Sequence, residues 1–264
     1  MKIKNASENK KDSIGPDIWL AGDPEDLTKW MDKGVKGIVT NTVVLKEMTD
    51  KYGSIIELTK RYLDITDKKV AIEIDGHSTN ELLDVGEAFT KLSDRVILKI
   101  PMSVHALGAF AELKKANVET FCTTIFTLNQ AVLAANAGVT HLLPFCEPFI
   151  DVNKDSTELI RELKSTFDGW ENRPFITAAL VRSVTTAHKA IKDGADGIII
   201  FWPIFEEMIR SKMTDEWNKI FLDRQQTLAV VPEEPPVFLY PEWWGDGDPD
   251  EEPPVVFGGS YNYF

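Results

Sequence analysis

From Asp17 onward the chain repeats one unit, a short apolar run followed by a longer segment with apolar residues at i, i+3 and i+4. The apolar runs are Ile18–Ala21, Gly37–Asn41, Val70–Asp75, Val96–Pro101, Val118–Ile125, His141–Cys146, Phe175–Val181 and Gly197–Trp202. Helical spacing fills the intervals, for example Pro24–Asp32, Glu81–Leu92, His105–Lys115, Gln130–Asn136, Ser156–Phe167 and Thr185–Lys192. Asp23 followed by Pro24 is a helix start, with the aspartate as N-cap and proline in the first turn. Gly34, Gly138 and Gly194 stand where helices end and turn into the next strand. Eight strands alternating with helices predict an α/β fold, the (β/α)8 TIM barrel. An open doubly wound sheet is the competing arrangement, but no Gly-rich phosphate loop follows its first strand.

Composition bounds what such a chain does. Its 264 residues, 43% hydrophobic, suffice for one large core. No apolar run approaches the roughly 18 residues of a membrane span, and the Lys-rich start has no apolar signal core after it. The expectation is a cytoplasmic protein, with Cys122 and Cys146 as reduced strand residues rather than a disulfide. A net charge of −13 argues against nucleic acid as a partner. Much of that charge lies at the end: residues 226–264 hold eight acids, seven of the 14 prolines and no Lys or Arg. Three parts are expected: a flexible arm over 1–15, a barrel over 16–225 and an extended tail over 226–264. The tail repeats Glu-Glu-Pro-Pro-Val at 233–237 and 251–255 and is rich in Trp, Tyr and Phe. Its proline and acid content predicts no core of its own, while its aromatics suit an arm that docks on a subunit or another protein.

A TIM barrel does chemistry at the C-terminal ends of its strands. Asn41, Glu73, Lys99, Thr123 and Arg182 all fall near such ends. The stretch Arg95-Val-Ile-Leu-Lys99-Ile-Pro101 carries the most information. A lysine inside a buried strand has its charged form disfavoured, which suits a neutral amine that attacks carbonyls. The alternative is a lysine whose stem packs while its ammonium reaches water. Glu73 serves either as a reacting carboxylate or as the buried partner of Lys99. Arg182 either meets an anion or pairs with a rim acid; Asn41 and Thr123 either meet substrate or are satisfied locally. The histidines, His77, His105, His141 and His188, share no metal spacing and are expected at caps or in solvent, with His77 nearest the mouth. No metal and no cofactor is expected.

Several of these segments resemble the transaldolase and fructose-6-phosphate aldolase family. The carriers are Gly37-Ile-Val-Thr-Asn41, Ala71-Ile-Glu73-Ile, Val96-Ile-Leu-Lys99-Ile-Pro101, Thr123 through Gly138, Pro144-Phe145 and Ala178-Ala-Leu-Val-Arg182. The resemblance covers roughly Asp17 to Arg224. It implies a (β/α)8 barrel with class I aldolase chemistry on ketose phosphates, assembled through C-terminal helices into pentamers or decamers. By the same resemblance Lys99 is the Schiff-base lysine and Glu73 the carboxylate that handles water. Asn41 and Thr123 contact substrate or that water, and Arg182 faces phosphate. The chain departs from the family at three places, one of them Thr40-Asn41-Thr42, where the family has Thr-Asn-Pro. Read against the family's Leu-Asp-Thr, Trp19-Leu20-Ala21 puts Leu20 in the place of the proton-transfer aspartate. Leu143-Pro-Phe-Cys-Glu-Pro148 lacks the second phosphate arginine. Leu20, Leu143 and Pro148 are therefore expected to make the mouth more apolar. The expected function is a transaldolase-like enzyme with weakened activity, acting on sugar phosphates as a homo-oligomer. The alternatives are altered Schiff-base chemistry on a different, less anionic carbonyl compound, which the lost arginine and the more apolar mouth favour, and a degenerate barrel used for assembly through its tail.

Overall fold

A computed structural model describes residues 15–225. The expected arm and tail lie outside the described residues, apart from Gly15. The barrel unit contains β1 (Asp17–Ala21), α1 (Pro24–Leu27), β2 (Gly37–Val39), α2 (Thr42–Tyr52), α3 (Ile55–Asp64), β3 (Lys69–Glu73), α4 (Thr79–Thr90) and β4 (Val96–Pro101). It continues with α5 (Val104–Lys115), β5 (Thr120–Ile125), α6 (Leu128–Ala137), β6 (His141–Pro144), α7 (Glu147–Asp151), α8 (Glu158–Phe167), β7 (Phe175–Ala178), α9 (Val184–Lys192), β8 (Gly197–Phe201) and α10 (Trp202–Ile209). All strand pairs are parallel, in sequence order, and β8 closes on β1 with Asp17 opposite Gly197 and Ala21 opposite Phe201. This is the (β/α)8 barrel rather than the open sheet. A second unit, described by itself, begins at Ser211 and carries α11 (Lys212–Gln225), whose Met213, Trp217 and Phe221 are exposed. No described helix is long and apolar enough to cross a membrane.

The loops leaving the strands use short polar caps. Asp23, Asn41, Ser78, Ser103, Thr127 and Ser183 each accept a backbone N–H of the following helix through the side chain. Each thereby satisfies a donor that the first helical turn leaves unpaired. Asp23 is the N-cap expected from its place before Pro24. Gly34, Gly138 and Gly194 have φ of 76°, 96° and 100°, conformations that end the preceding segments at no steric cost.

Strand alternation divides the core in two. Inside the barrel lie Trp19, Val39, Ala71, Ile97, Phe121, Leu143 and Ala179. Between strands and helices lie Leu20, Ile38, Ile72, Leu98, Leu142, Ile198 and Ile200 with helix residues such as Leu58, Phe110 and Leu163. Trp19 is the largest of the interior group, and its ring meets Phe121 edge-on at 5.1 Å between centroids. Gly37 makes room for it: a Cβ there would collide with the Trp19 ring and the Lys69 carbonyl. Beside this floor His141 is buried, 4.3 Å from the Phe121 ring and 4.8 Å from the Phe175 ring. That corrects the expectation of a histidine at a cap or in solvent, which holds for the exposed His77, His105 and His188. Alternation along β6 turns His141 to the same inward face as Leu143. Burial holds its imidazole down to about 3 from the ordinary 6.5.

Candidate active site

A cavity of about 470 Å³ opens at the C-terminal ends of the strands. Lys99, Glu73, Thr123, Asn41 and Arg182 all line it, so the five residues expected at one mouth are brought together. Lys99 and Glu73 are register partners on adjacent strands, which sets both side chains on the same inward face. The Lys99 Nζ donates to Glu73 Oε2, and Lys99 is only 5% exposed. Burial pushes the Lys99 ammonium below its ordinary range, against the opposing pull of Glu73. An amine held this way is more readily neutral, and only the neutral amine adds to a carbonyl.

The neighbours of this pair are fixed from below. Thr40 Oγ1 donates to the Ala71 carbonyl at 3.2 Å and accepts from the Glu73 N–H at 3.0 Å. One buried hydroxyl thus ties the end of β2 to β3 at the carboxylate's own backbone. Asn41 Oδ1 accepts from the Val44 N–H at 2.9 Å as the N-cap of α2. With that oxygen engaged, the carboxamide N–H groups remain to meet a ligand. Thr123 is buried, and its Oγ1 has no hydrogen-bond partner among the described residues. An unpaired buried hydroxyl costs roughly 1–3 kcal/mol, a cost that a hydrogen-bonding group entering the cavity would offset. The next residue, Thr124, has φ of 61° at a register shift between β5 and β6. A β-branched residue there is strained, and such bulges re-aim side chains beside sites.

Arg182 lies exposed at the rim beyond β7. Its backbone N–H donates to Glu147 Oε1 at 3.1 Å, while its guanidinium has no ion-pair partner among the described residues. Among the described residues, then, the rim ion pair is not formed. Among the described residues no three His, Cys, Asp or Glu side chains gather as metal ligands. Cys122 and Cys146 are free and buried, and burial raises both thiols to about 12. Cys122 lies in β5, but Cys146 falls just after β6.

The end of β1 differs from the sequence expectation. Leu20 is fully buried on the outward face, packed with the helix layer. The residue that faces the cavity is Ala21. The position where an acid would reach the mouth is therefore Ala21, and Leu20 could not have served. The reason is the two-residue period of the strand: Trp19 points inward, so Leu20 cannot and Ala21 must. Leu143 likewise belongs to the interior floor below the cavity, and Pro148 does not line the cavity. The apolar surface at the mouth comes instead from Ala21, Phe145, Leu180, Ile199 and Phe201, with smaller contributions that include Val39, Val43 and Val44. Once Trp19 and Leu143 are placed inside the barrel, the two-residue period assigns Ala21 and Phe145 to the mouth, but the sequence does not mark which residues face inward.

A family model described as Transaldolase/Fructose-6-phosphate aldolase matches residues 23–208, from the start of α1 into α10. The chain belongs to that family. Within it, a "Probable transaldolase" of Rhizobium meliloti (strain 1021) is 30% identical over 202 residues, covering 76% of this chain and 91% of the relative. A "Probable transaldolase" of Thermoplasma volcanium is 29% identical over 199 residues, covering 75% of this chain and 89% of the relative. The crystal structure of a putative phosphonomutase from Burkholderia cenocepacia J2315 superposes with a TM-score of 0.53. It shares 14% identity over 80% of this chain and 94% of its own, a likeness of fold alone. The family match starts at Asp23, so the end of β1 that carries Ala21 lies outside it.

Proposed function

We propose that the protein is a transaldolase-type Schiff-base aldolase acting on ketoses and their phosphates in carbohydrate metabolism. The observation that carries this reading is a buried lysine amine, Lys99, hydrogen-bonded to Glu73 on the wall of a cavity at the C-terminal mouth. In it, neutral Lys99 attacks the ketone carbonyl of a three-carbon donor unit and expels water. Glu73, the acceptor of the Lys99 proton in the resting site, returns and removes protons at that nitrogen and its water. Thr123 Oγ1 and the Asn41 carboxamide bind donor hydroxyls or the water, and Arg182 meets an anionic terminal group such as phosphate. The absence of an acid at Ala21 leaves proton transfer at the breaking C–C bond to water, so the activity is weakened. Loss of such a group lowers rates by roughly 10²–10⁴.

The same reading places the protein in the cytoplasm as a homo-oligomer, with the tail 226–264 available to a protein partner. A second reading, a catalytically degenerate barrel that serves assembly, is favoured by the alanine at the acid's position. Borohydride reduction in the presence of dihydroxyacetone or fructose 6-phosphate separates the two. An intact-mass adduct that disappears in Lys99→Ala supports the enzyme; no adduct with either ketose favours the assembly role.

A further inference from the structure

The lining of the cavity divides by strand. From β2 round to β5 it is mostly polar: Thr40, Asn41, Glu73, Lys99, Thr123 and Thr124 stand at the strand ends and Thr42 and Glu47 on α2, with Val39, Val43 and Val44 between them. From β6 through β8 and back to β1 it is apolar apart from Arg182, with Phe145, Leu180, Ile199, Phe201 and Ala21 as the main wall and Ala179, Val181 and Ile200 completing it. Because the barrel is closed in sequence order, these arcs face each other across the opening. Arg182 is the polar lining residue on the second arc, and it stands at the exposed rim rather than within the wall.

An aldol reaction has two partners, and this division sorts them. The ketone that condenses with Lys99 has its hydroxyls beside the hydroxyl and amide groups of the first arc. The aldehyde that approaches the bound donor must lie against the second arc, where no side chain below the rim donates or accepts a hydrogen bond. A polyhydroxylated aldehyde would leave hydroxyls unpaired there, an unfavourable desolvation. An alkyl chain or aromatic ring would instead bury apolar surface against Phe145, Leu180 and Phe201.

We propose that the acceptor half of this cavity takes an apolar aldehyde, alkyl or aryl, in place of a sugar phosphate. The protein then joins a hydroxylated three-carbon ketone to that aldehyde, or cleaves the corresponding ketol. This rests on the reading of Lys99 as the Schiff-base nucleophile and departs from that reading in the acceptor, with Arg182 left at the exposed rim outside the acceptor's apolar wall. The Lys99 amine condenses with the donor ketone and water leaves. Loss of a proton from the adjacent carbon gives an enamine, and that carbon bonds to the aldehyde carbon while the aldehyde oxygen gains a proton. Water then releases the ketol and restores the amine. No oxidant or reductant is consumed.

The test uses the full-length protein with dihydroxyacetone as donor and either hexanal or glyceraldehyde 3-phosphate as acceptor, with products read by mass spectrometry. The expected result is a kcat/KM for hexanal about tenfold or more above that for the phosphorylated aldehyde, the scale at which apolar pockets discriminate. Phe201 is 39% exposed, so Phe201→Ser leaves the core intact; it should lower that ratio about tenfold. Borohydride trapping of dihydroxyacetone is run on the same preparations. Trapping at Lys99 with preference for glyceraldehyde 3-phosphate, with no use of hexanal, or with an unchanged ratio in Phe201→Ser overturns the acceptor assignment alone. No trapping at Lys99 overturns the Schiff-base reading, and the acceptor assignment with it.

Discussion

The two neighbours at the end of β1 have opposite fates because a strand's side chains alternate. Ala21→Asp places a carboxylate on the cavity wall, and turnover that depends on Lys99 should rise tenfold or more, within the roughly 10²–10⁴ that an acid–base group supplies. Leu20→Asp puts the same carboxylate into the fully buried helix-facing layer. An unpaired charge there should cost about 3–5 kcal/mol in urea denaturation, with no gain in turnover. A rise in turnover from Leu20→Asp and none from Ala21→Asp would contradict the assigned faces. His141 gives a pH dependence of stability. Its pKa is held at about 3 against an ordinary 6.5, so below pH 6.5 the unfolded chain takes up a proton that the folded chain refuses. The stabilisation is complete above pH 6.5 and is lost as pH falls toward 3, on the order of 5 kcal/mol in all. Melting temperatures of His141→Gln should therefore fall less steeply between pH 6.5 and 4 than those of the parent chain. Equal slopes would remove His141 as the cause. Nothing local in Thr140-His141-Leu142 announces this burial; it is imposed by the rings of Phe121 and Phe175, its register partners on the adjacent strands β5 and β7.

Elements were legible to differing degrees for identifiable reasons. The eight strands could be read from apolar runs, since parallel barrel strands are covered on both faces. Their ends could not, because polar residues that leave the ladder look like continuations of it. Asn41 and Thr40 extend the run of β2 in sequence, yet Asn41 turns away to cap α2 and Thr40 bonds across to β3. Leu180 extends the run of β7, but with φ of 54° it has already left the strand. Caps are better local signals: Thr127 and Gln130 form a reciprocal capping box at the start of α6. Thr127→Ala should lose about 1 kcal/mol of unfolding free energy, read from the shift of the urea midpoint. At the barrel floor the more damaging change is Gly37→Ala. Its methyl has no space beside Trp19 and the Lys69 carbonyl, so β1, β2 and β3 must separate or Trp19 must move. A loss of about 1–3 kcal/mol is expected, together with altered tryptophan fluorescence. An unchanged spectrum and midpoint would show that the floor is looser than its packing implies.

At the scale of the whole molecule the barrel accounts for the site, while the 39 residues of the tail, 226–264, stand apart from it in composition. If they form a docking arm, deleting 226–264 reduces the assembled mass in light scattering or abolishes capture of a partner protein. Unchanged mass and unchanged capture would discard the arm. The sequence by itself determined the fold class and the five residues that share one cavity. Both follow from local periodicity, since alternating strand and helix patterns admit few closures and strand ends in a barrel converge on one mouth. Only the tertiary structure decided which side of each strand looks into that mouth. It put Ala21 rather than Leu20 on the cavity wall, left the Arg182 guanidinium without a carboxylate partner among the described residues, buried His141 and divided the cavity into a mostly polar and a mostly apolar arc. Each of these depends on register between strands far apart in sequence, and hydrophobicity along one strand buried on both faces does not reveal which face is inner.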